Sequence, residues 1–208
     1  MDRNDILTQA CELYLHGGLD AVSMRRLARD LGVTAPALYK HYDSREEILL
    51  DVVSEAYRLC AEHLSVALSG STPADRFRLA GRGYLDFALG NPKLYEMMYA
   101  PAHTLGVERF PETLTARMAG VGQFFTDRVR ECIAAGLLHG HLDAREVSLT
   151  LWAHAHGLIS IFLRDCLDMD EEMFRQVYHD SGWRTLHAMA TAEYRPTTPT
   201  TTTASHAT

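Results

Sequence analysis

The chain has 208 residues, 47% of them hydrophobic and 23% charged, the composition of an ordinary globular protein. Twenty Lys and Arg stand against 27 Asp and Glu, a net charge of −7, which argues against a protein that coats nucleic acid or a polybasic membrane binder. No apolar run approaches the ~20 residues needed to cross a bilayer. The opening MDRNDILTQ lacks the apolar stretch of a signal peptide, so a cytoplasmic protein without a membrane partner is expected.

The four cysteines, Cys11, Cys60, Cys132 and Cys166, are far apart and form no CxxC. Each sits in an apolar helical pattern, so buried reduced thiols are expected, with a redox sensor as the alternative. Prolines punctuate the first half at Pro36, Pro73, Pro92, Pro101 and Pro111, and then none occurs until Pro196. That spacing suits long helices, because an interior proline costs about 3 kcal/mol. With no alternating strand pattern, an all-α fold is expected.

In chain order, the first helix is placed from about Asn4 to His16 and ends at Gly17-Gly18, where glycine tolerates the left-handed conformation. Ser23 can cap a short helix over Met24 to Leu31. Thr34 can cap another over Ala35 to Tyr42, with Pro36 in its first turn. Ser44 to Glu47 spells a capping box ahead of a periodic apolar run that continues to about Leu68. A further helix spans Ala74 to Leu89, Gly90-Asn91-Pro92 breaks it, and a short helix with Tyr95, Met97 and Met98 follows. Residues 100–108 read as loop.

Pro111 opens a long helix to about Ala135. Gly120 and Gly122 inside it weaken it by about 1 kcal/mol each relative to alanine, and allow either close helix packing or open space. Asp143 and Glu146 form a second capping-box pattern for Ala144 to Leu163. There Leu149, Leu151, Trp152, Leu158, Ile159, Ile161 and Phe162 cover almost the whole circumference. A helix apolar on all sides is buried on all sides, and a second subunit is the expected cover. Asp170 begins the last helix. After Tyr194 a Thr/Pro tail with nothing to bury is expected to be disordered.

Residues 23–49, SMRRLARDLGVTAPALYKHYDSREEIL, describe two short helices joined by a glycine-containing turn, then a capped long helix. Leu27, Ala28, Leu31, Val33 and Leu38 make a small core, and the second helix turns Ala35, Pro36, Ala37, Tyr39, Lys40 and His41 outward. This is the helix-turn-helix arrangement, whose second helix enters the major groove. The segment resembles the DNA-binding domain of the TetR family of bacterial transcriptional regulators. The resemblance rests on Ser23, Leu27, Ala28, Gly32, Val33, Thr34, Leu38, Tyr39, His41, Tyr42, Ser44, Arg45 and Leu49, with Ser23, Tyr42 and Arg45 as mild departures.

That resemblance implies that Ser23, Thr34, Tyr39, Tyr42 and Arg45 touch phosphates or pack the reading head, and Arg25 joins this DNA-facing set. Ala35, Pro36, Ala37, Lys40 and His41 are the candidates for base edges, with Lys40 able to donate to guanine. Leu38, Tyr42 and Tyr39 also have a plain core reading. Farther on, Trp152 to Gly157 resembles the Trp…His-Gly ("WHG") signature of one TetR-family ligand-binding domain, and Asn91 to Met98 resembles another segment of that group. Together they imply a DNA-binding domain over 1–49, an effector-binding and dimerisation domain over 50–193 and a tail over 194–208. They also imply a homodimer joined by a four-helix bundle.

The expected activity is that of a repressor released from a palindromic DNA operator by a small-molecule effector. An activator or effector-independent regulator is one alternative, and a helical ligand-binding protein without DNA activity is another. Tyr84, Phe87, Tyr95, Met98, His103, Phe124, Phe125, Trp152 and His156 are the candidates for an effector cavity, since such cavities are apolar with a few polar anchors. The same residues could equally be ordinary core. No cofactor, metal site or enzyme activity is expected. His154 and His156 lie on different sides of a helix, His139 and His141 could chelate only weakly, and neither HExxH nor a nucleophile motif occurs. The acidic total hides its distribution, because residues 22–45 carry Arg25, Arg26, Arg29, Lys40 and Arg45 against only Asp30 and Asp43.

Overall fold

A computed structural model describes residues 1–192, so the tail expectation lies outside the described residues. The described residues form helices: α1 (Arg3–Ala21), α2 (Met24–Asp30), α3 (Ala35–Leu38), α4 (Arg45–Leu64), α5 (Pro73–Gly90), α6 (Pro92–Met98), α7 (Glu112–Ala134), α8 (Ala144–Leu163) and α9 (Glu171–His187). The chain divides into two compact units, Met1–Arg128 and Val129 onward. Within the first unit α4 packs on α1 as well as on α5 and α6.

In the first unit, caps set the helix starts. The Asp2 carboxylate accepts from the Asn4 and Asp5 N–H groups, and Asp5 accepts from the Asp2 N–H in return, so α1 begins with a closed capping box. α1 outruns its expected end at His16. It is interrupted at Gly18, whose φ of 68° is open to glycine at no steric cost, and it resumes to Ala21. Ser23, Ser44 and Thr72 cap α2, α4 and α5 through their side-chain oxygens. Glu47 does not close the box expected with Ser44, because its carboxylate takes the Asp43 N–H instead, at 2.7 Å.

α3 is a single turn, shorter than the expected Ala35 to Tyr42. Beyond it the chain continues as turns in which the His41 and Tyr42 N–H groups both reach the Leu38 carbonyl. α4 buries Ile48, Leu49, Val52, Val53, Ala56, Tyr57, Cys60 and Leu64 at helical spacing. It ends at Leu64 in a 3-10 turn over Ser65–Ser69, and a second 3-10 turn, Ala102–Leu105, occupies the expected loop. α5 lies against the end of α4 with almost no gap, and Gly83 makes that approach possible. Among the described residues, a Cβ on Gly120 or Gly122 of α7 would meet nothing within 4 Å.

In the second unit, Asp143 caps α8 and Asp170 caps α9. An isolated bridge between Leu138 and Ala190 brings the turn before α8 against the residues after α9, reinforced by Thr191 Oγ1 donating to the Gly136 carbonyl at 2.7 Å. Phe162 of α8 and Phe174 of α9 stack with centroids 4.0 Å apart. Burial of α8 on all sides does not occur within one chain. Only Val147, Ser148 and Ile159 are buried, while Leu149 is 60% and Ile161 44% exposed. Among the described residues no helix is long and apolar enough to cross a membrane.

Candidate nucleic-acid interface

The core of the helix-turn-helix is as the apolar pattern requires. Leu27 and Leu38 are fully buried, Ala28 nearly so, and Leu31 and Val33 are half-buried. Gly32, with φ of 66°, makes the turn, and the Val33 N–H closes it on the Ala28 carbonyl at 2.9 Å. With Leu38 pinned inward, the one-turn α3 presents Pro36 and Thr34 to solvent, and Tyr39 and Lys40 follow on the same exposed stretch. Ala35, Ala37 and His41 are half-buried at its edges. Thr34 caps α3 by position alone and makes no side-chain bond to it, so its hydroxyl is open to a phosphate.

Ion pairs sort the cations of this head. Asp30 draws in Arg29 at 2.8 Å and Arg26 at 3.8 Å. Among the described residues Arg25 and Lys40 are exposed and have no ion pair. Ser23 spends its hydroxyl on the Arg26 N–H.

Two residues of the expected DNA-facing set are turned to the protein. Tyr42 is 1% exposed, and its hydroxyl donates to Asp51 at 2.8 Å. Burial first, and the Asp51 hydrogen bond second, push its phenol well above the ordinary value. Arg45 donates from Nε to the Val22 carbonyl and from Nη2 to the Leu19 carbonyl, both at 2.6 Å. Both side chains thus pack the reading head, one of the two roles the resemblance implies for them. Sequence reasoning missed Arg3, which bonds the His41 carbonyl, Glu47 and Asp51. Nothing local in the sequence marks a residue that acts across some forty positions of chain.

The expected effector residues separate into groups. Tyr84, Tyr95 and Phe125 meet in the first unit: the Tyr84 ring packs edge-to-face with Tyr95 and with Phe125, at centroid separations of 5.8 Å and 5.7 Å. Tyr99, outside the expected set, completes this cluster. Its hydroxyl lies 2.6 Å from that of Tyr84, which is 3.1 Å from that of Tyr95. Burial first, then its tyrosine neighbours, push the Tyr84 phenol far above its ordinary value, so it is a neutral hydrogen-bonding group. Met98 is buried beside them in sequence, with its carbonyl accepting from Tyr57 at 3.0 Å.

Phe124 sits edge-on to Phe125, while Phe87 packs against His63 instead. His103 is exposed on its 3-10 turn. Trp152 and His156 belong to the second unit, where they stack on each other 5.3 Å apart.

Among the described residues no group of three or more His, Cys, Asp or Glu is placed to hold a metal. Cys60 and Cys132 are buried and Cys11 is half-buried, but Cys166 is exposed on the loop after α8, against the expectation of four buried thiols. Burial pushes the Cys60 thiol up to about 12. Burial, with Glu55 and Glu12, pushes the Cys11 thiol up to about 11.

Residues 6–52 match the family described as bacterial regulatory proteins, tetR family, and residues 77–180 match the tetracyclin repressor-like C-terminal domain. The HTH-type transcriptional regulator Rv1816 of Mycobacterium tuberculosis is 29% identical over 134 residues, covering 62% of this chain and 54% of its own. The chain thus spans about half the length of that relative. A solved protein of unknown function from Rhodococcus sp. RHA1 superposes with a TM-score of 0.78 at 26% identity, over 91% of this chain and 95% of its own. The structure of AibR in complex with isovaleryl coenzyme A and operator DNA superposes with a TM-score of 0.64 over 86% of this chain and 96% of its own. At 18% identity that is a likeness of fold.

Proposed function

The chain belongs to the TetR family of bacterial regulatory proteins, and we propose that it is a sequence-specific DNA-binding regulator. In this reading it acts as a dimeric repressor that a small-molecule effector releases from a palindromic operator. The observation that carries DNA binding is the reading hairpin itself. A single buried anchor, Leu38, leaves Thr34, Pro36, Tyr39 and Lys40 on one exposed stretch. A lysine there can donate to guanine O6 or N7, and the small apolar groups suit thymine methyls. The −7 of the whole chain limits non-specific coating while the local cations serve a specific contact.

The dimer is supported by the uncovered apolar side chains of α8 and α9, Leu149, Ile161 and Met173, which a second copy would bury. Two heads then face one side of the duplex, about 34–36 Å apart. The effector reading is supported by the Tyr84–Tyr95–Tyr99 cluster, which combines aromatic surface with hydroxyl groups of the kind that anchor a small ligand. AibR, a fold neighbour solved with both an acyl coenzyme A and operator DNA, supports the pairing of those two partner classes. The proposed role is binding, in the cytoplasm, without a catalytic step.

Selection from a random duplex pool by the purified full chain tests this. Enrichment of an inverted repeat is expected, and no enrichment would leave the helical ligand-binding reading in its place. A reporter fused to the selected site separates repression from activation.

A further inference from the structure

Two arginines bracket the helix-turn-helix. Arg45, the first residue of α4, holds the Val22 and Leu19 carbonyls at 2.6 Å, immediately before Ser23 begins α2. Arg3, the first residue of α1, holds the His41 carbonyl at 2.9 Å, immediately after Lys40. The same Arg3 guanidinium reaches Glu47 at 2.7 Å and Asp51 at 3.1 Å on α4, and lies 4.0 Å from the centre of the Tyr42 ring. Each end of α1 is therefore tied to the start of α4, and the ties fall on the entry and the exit of the reading segment.

The chemistry needs arginine at both places. Each side chain donates from at least two nitrogens in fixed directions, to carbonyls or carboxylates that are well apart, and an ammonium has no such fork. Arg3 is 48% exposed, so its ion pairs contribute little to global stability, and its effect falls on the local orientation of His41 and Tyr42. Burial opposes ionisation of Glu47, yet the Asp43 N–H and Arg3 hold its carboxyl below the ordinary value, which keeps the tie charged at neutral pH.

We propose that Arg3 and Arg45 are positioning residues that set the angle of the reading segment by clamping its two ends, and that neither spends its charge on a phosphate. This rests on the DNA-binding reading above. A phosphate contact and a clamp differ in salt dependence. Losing one phosphate contact lowers the slope of log K against log salt by about 0.9, whereas losing a clamp leaves the slope alone.

Arg3→Lys and Arg45→Lys in the full chain keep the charge and lose the fork. Each is expected to weaken binding to the selected operator by about tenfold or more, with unchanged binding to random duplex. Arg3→Ala and Arg45→Ala are expected to keep the wild-type salt slope. A reduced slope in the alanine variants, or wild-type operator affinity in the lysine variants, overturns the proposal.

Amide hydrogen exchange of the free chain gives a readout that needs no DNA. Exchange over residues 34–43 should rise in Arg3→Lys, and over residues 19–24 in Arg45→Lys, while exchange over α4 beyond Asp51 holds in both. No rise, or an equal rise over α4, overturns the clamp. Should the wild type bind no duplex, the DNA reading falls and the exchange experiment still decides the clamp.

Discussion

The Tyr14 hydroxyl donates to the Lys93 main-chain carbonyl at 2.9 Å, joining α1 to α6 across 79 positions of sequence. The contact is reciprocal, because the Lys93 ammonium donates to the Leu15 carbonyl. The helix that opens the head is thereby fastened to the helix that carries Tyr95. Tyr14→Phe removes one donor and leaves a carbonyl on an exposed residue that water can satisfy. The expected cost is about 0.5–1.5 kcal/mol, read as a lower urea midpoint with an unchanged slope.

Gly83 and Gly81 lie two residues apart on α5 and should respond oppositely to alanine. A Cβ on Gly83 would stand 2.3 Å from the His63 carbonyl oxygen, a main-chain atom that cannot swing away. Gly83→Ala is expected to destabilise by about 1–3 kcal/mol. Among the described residues, a Cβ on Gly81 meets nothing within 4 Å. Gly81→Ala should stabilise by about 0.5–1 kcal/mol, since it removes backbone freedom from the unfolded chain. Thermal melting of the two variants checks both signs, and equal shifts would contradict the packing of α4 on α5.

These positions also mark what a sequence can disclose. Ser23, Ser44, Asp143 and Asp170 were legible as helix starts because a cap acts within three residues of itself. Leu27 and Leu38 were legible as core because helical periodicity fixes their face. The partner of Arg45 was not legible. A basic residue next to a DNA-reading segment suggests phosphate, and only the folded chain brings the Leu19 and Val22 carbonyls to it. The aromatic cluster around Tyr84 was half legible. Composition marked the aromatic region, but the hydroxyl contact that recruits Tyr99 depends on how α5 and α6 meet.

Lys40 is the test of direct base reading. It is exposed, follows the one-turn α3 and has no ion pair among the described residues. Lys40→Ala is expected to cost about 1–3 kcal/mol in operator affinity and to relax preference at one position of each half-site. Arg25→Ala should instead weaken specific and random duplexes alike and lower the salt slope by about 0.9. Titration of both duplexes at two salt concentrations distinguishes the roles, and an unchanged operator affinity would remove Lys40 from the reading set.

The proposed dimer face makes a prediction of its own. Leu149 and Ile161 are the large apolar side chains of α8 that stand exposed. A glutamate at either would bring a charge into a buried contact between two copies, where it costs far more than in water. Leu149→Glu and Ile161→Glu should sediment as monomers at concentrations where the wild type is dimeric, while keeping the helical circular-dichroism signal. A wild type that sediments as a monomer throughout would count against the face.

His156 predicts how the protein responds to mild acid. Its ring stacks on Trp152, lies 3.4 Å from the Ser160 hydroxyl and feels Arg164. Burial first, and the Arg164 charge second, push its pKa below the ordinary 6.5. The folded chain therefore resists a proton that the unfolded chain accepts. Between the folded value and 6.5 the unfolded state binds more protons, so stability rises with pH there. The full contribution is present above 6.5 and is lost as pH falls through that value to the folded one. Urea midpoints at pH 7.5 and 5.5 should drop on acidification in the wild type. His156→Phe keeps an aromatic ring against Trp152 and cannot titrate, so its drop should be smaller. An equal drop in both proteins would place the acid sensitivity elsewhere.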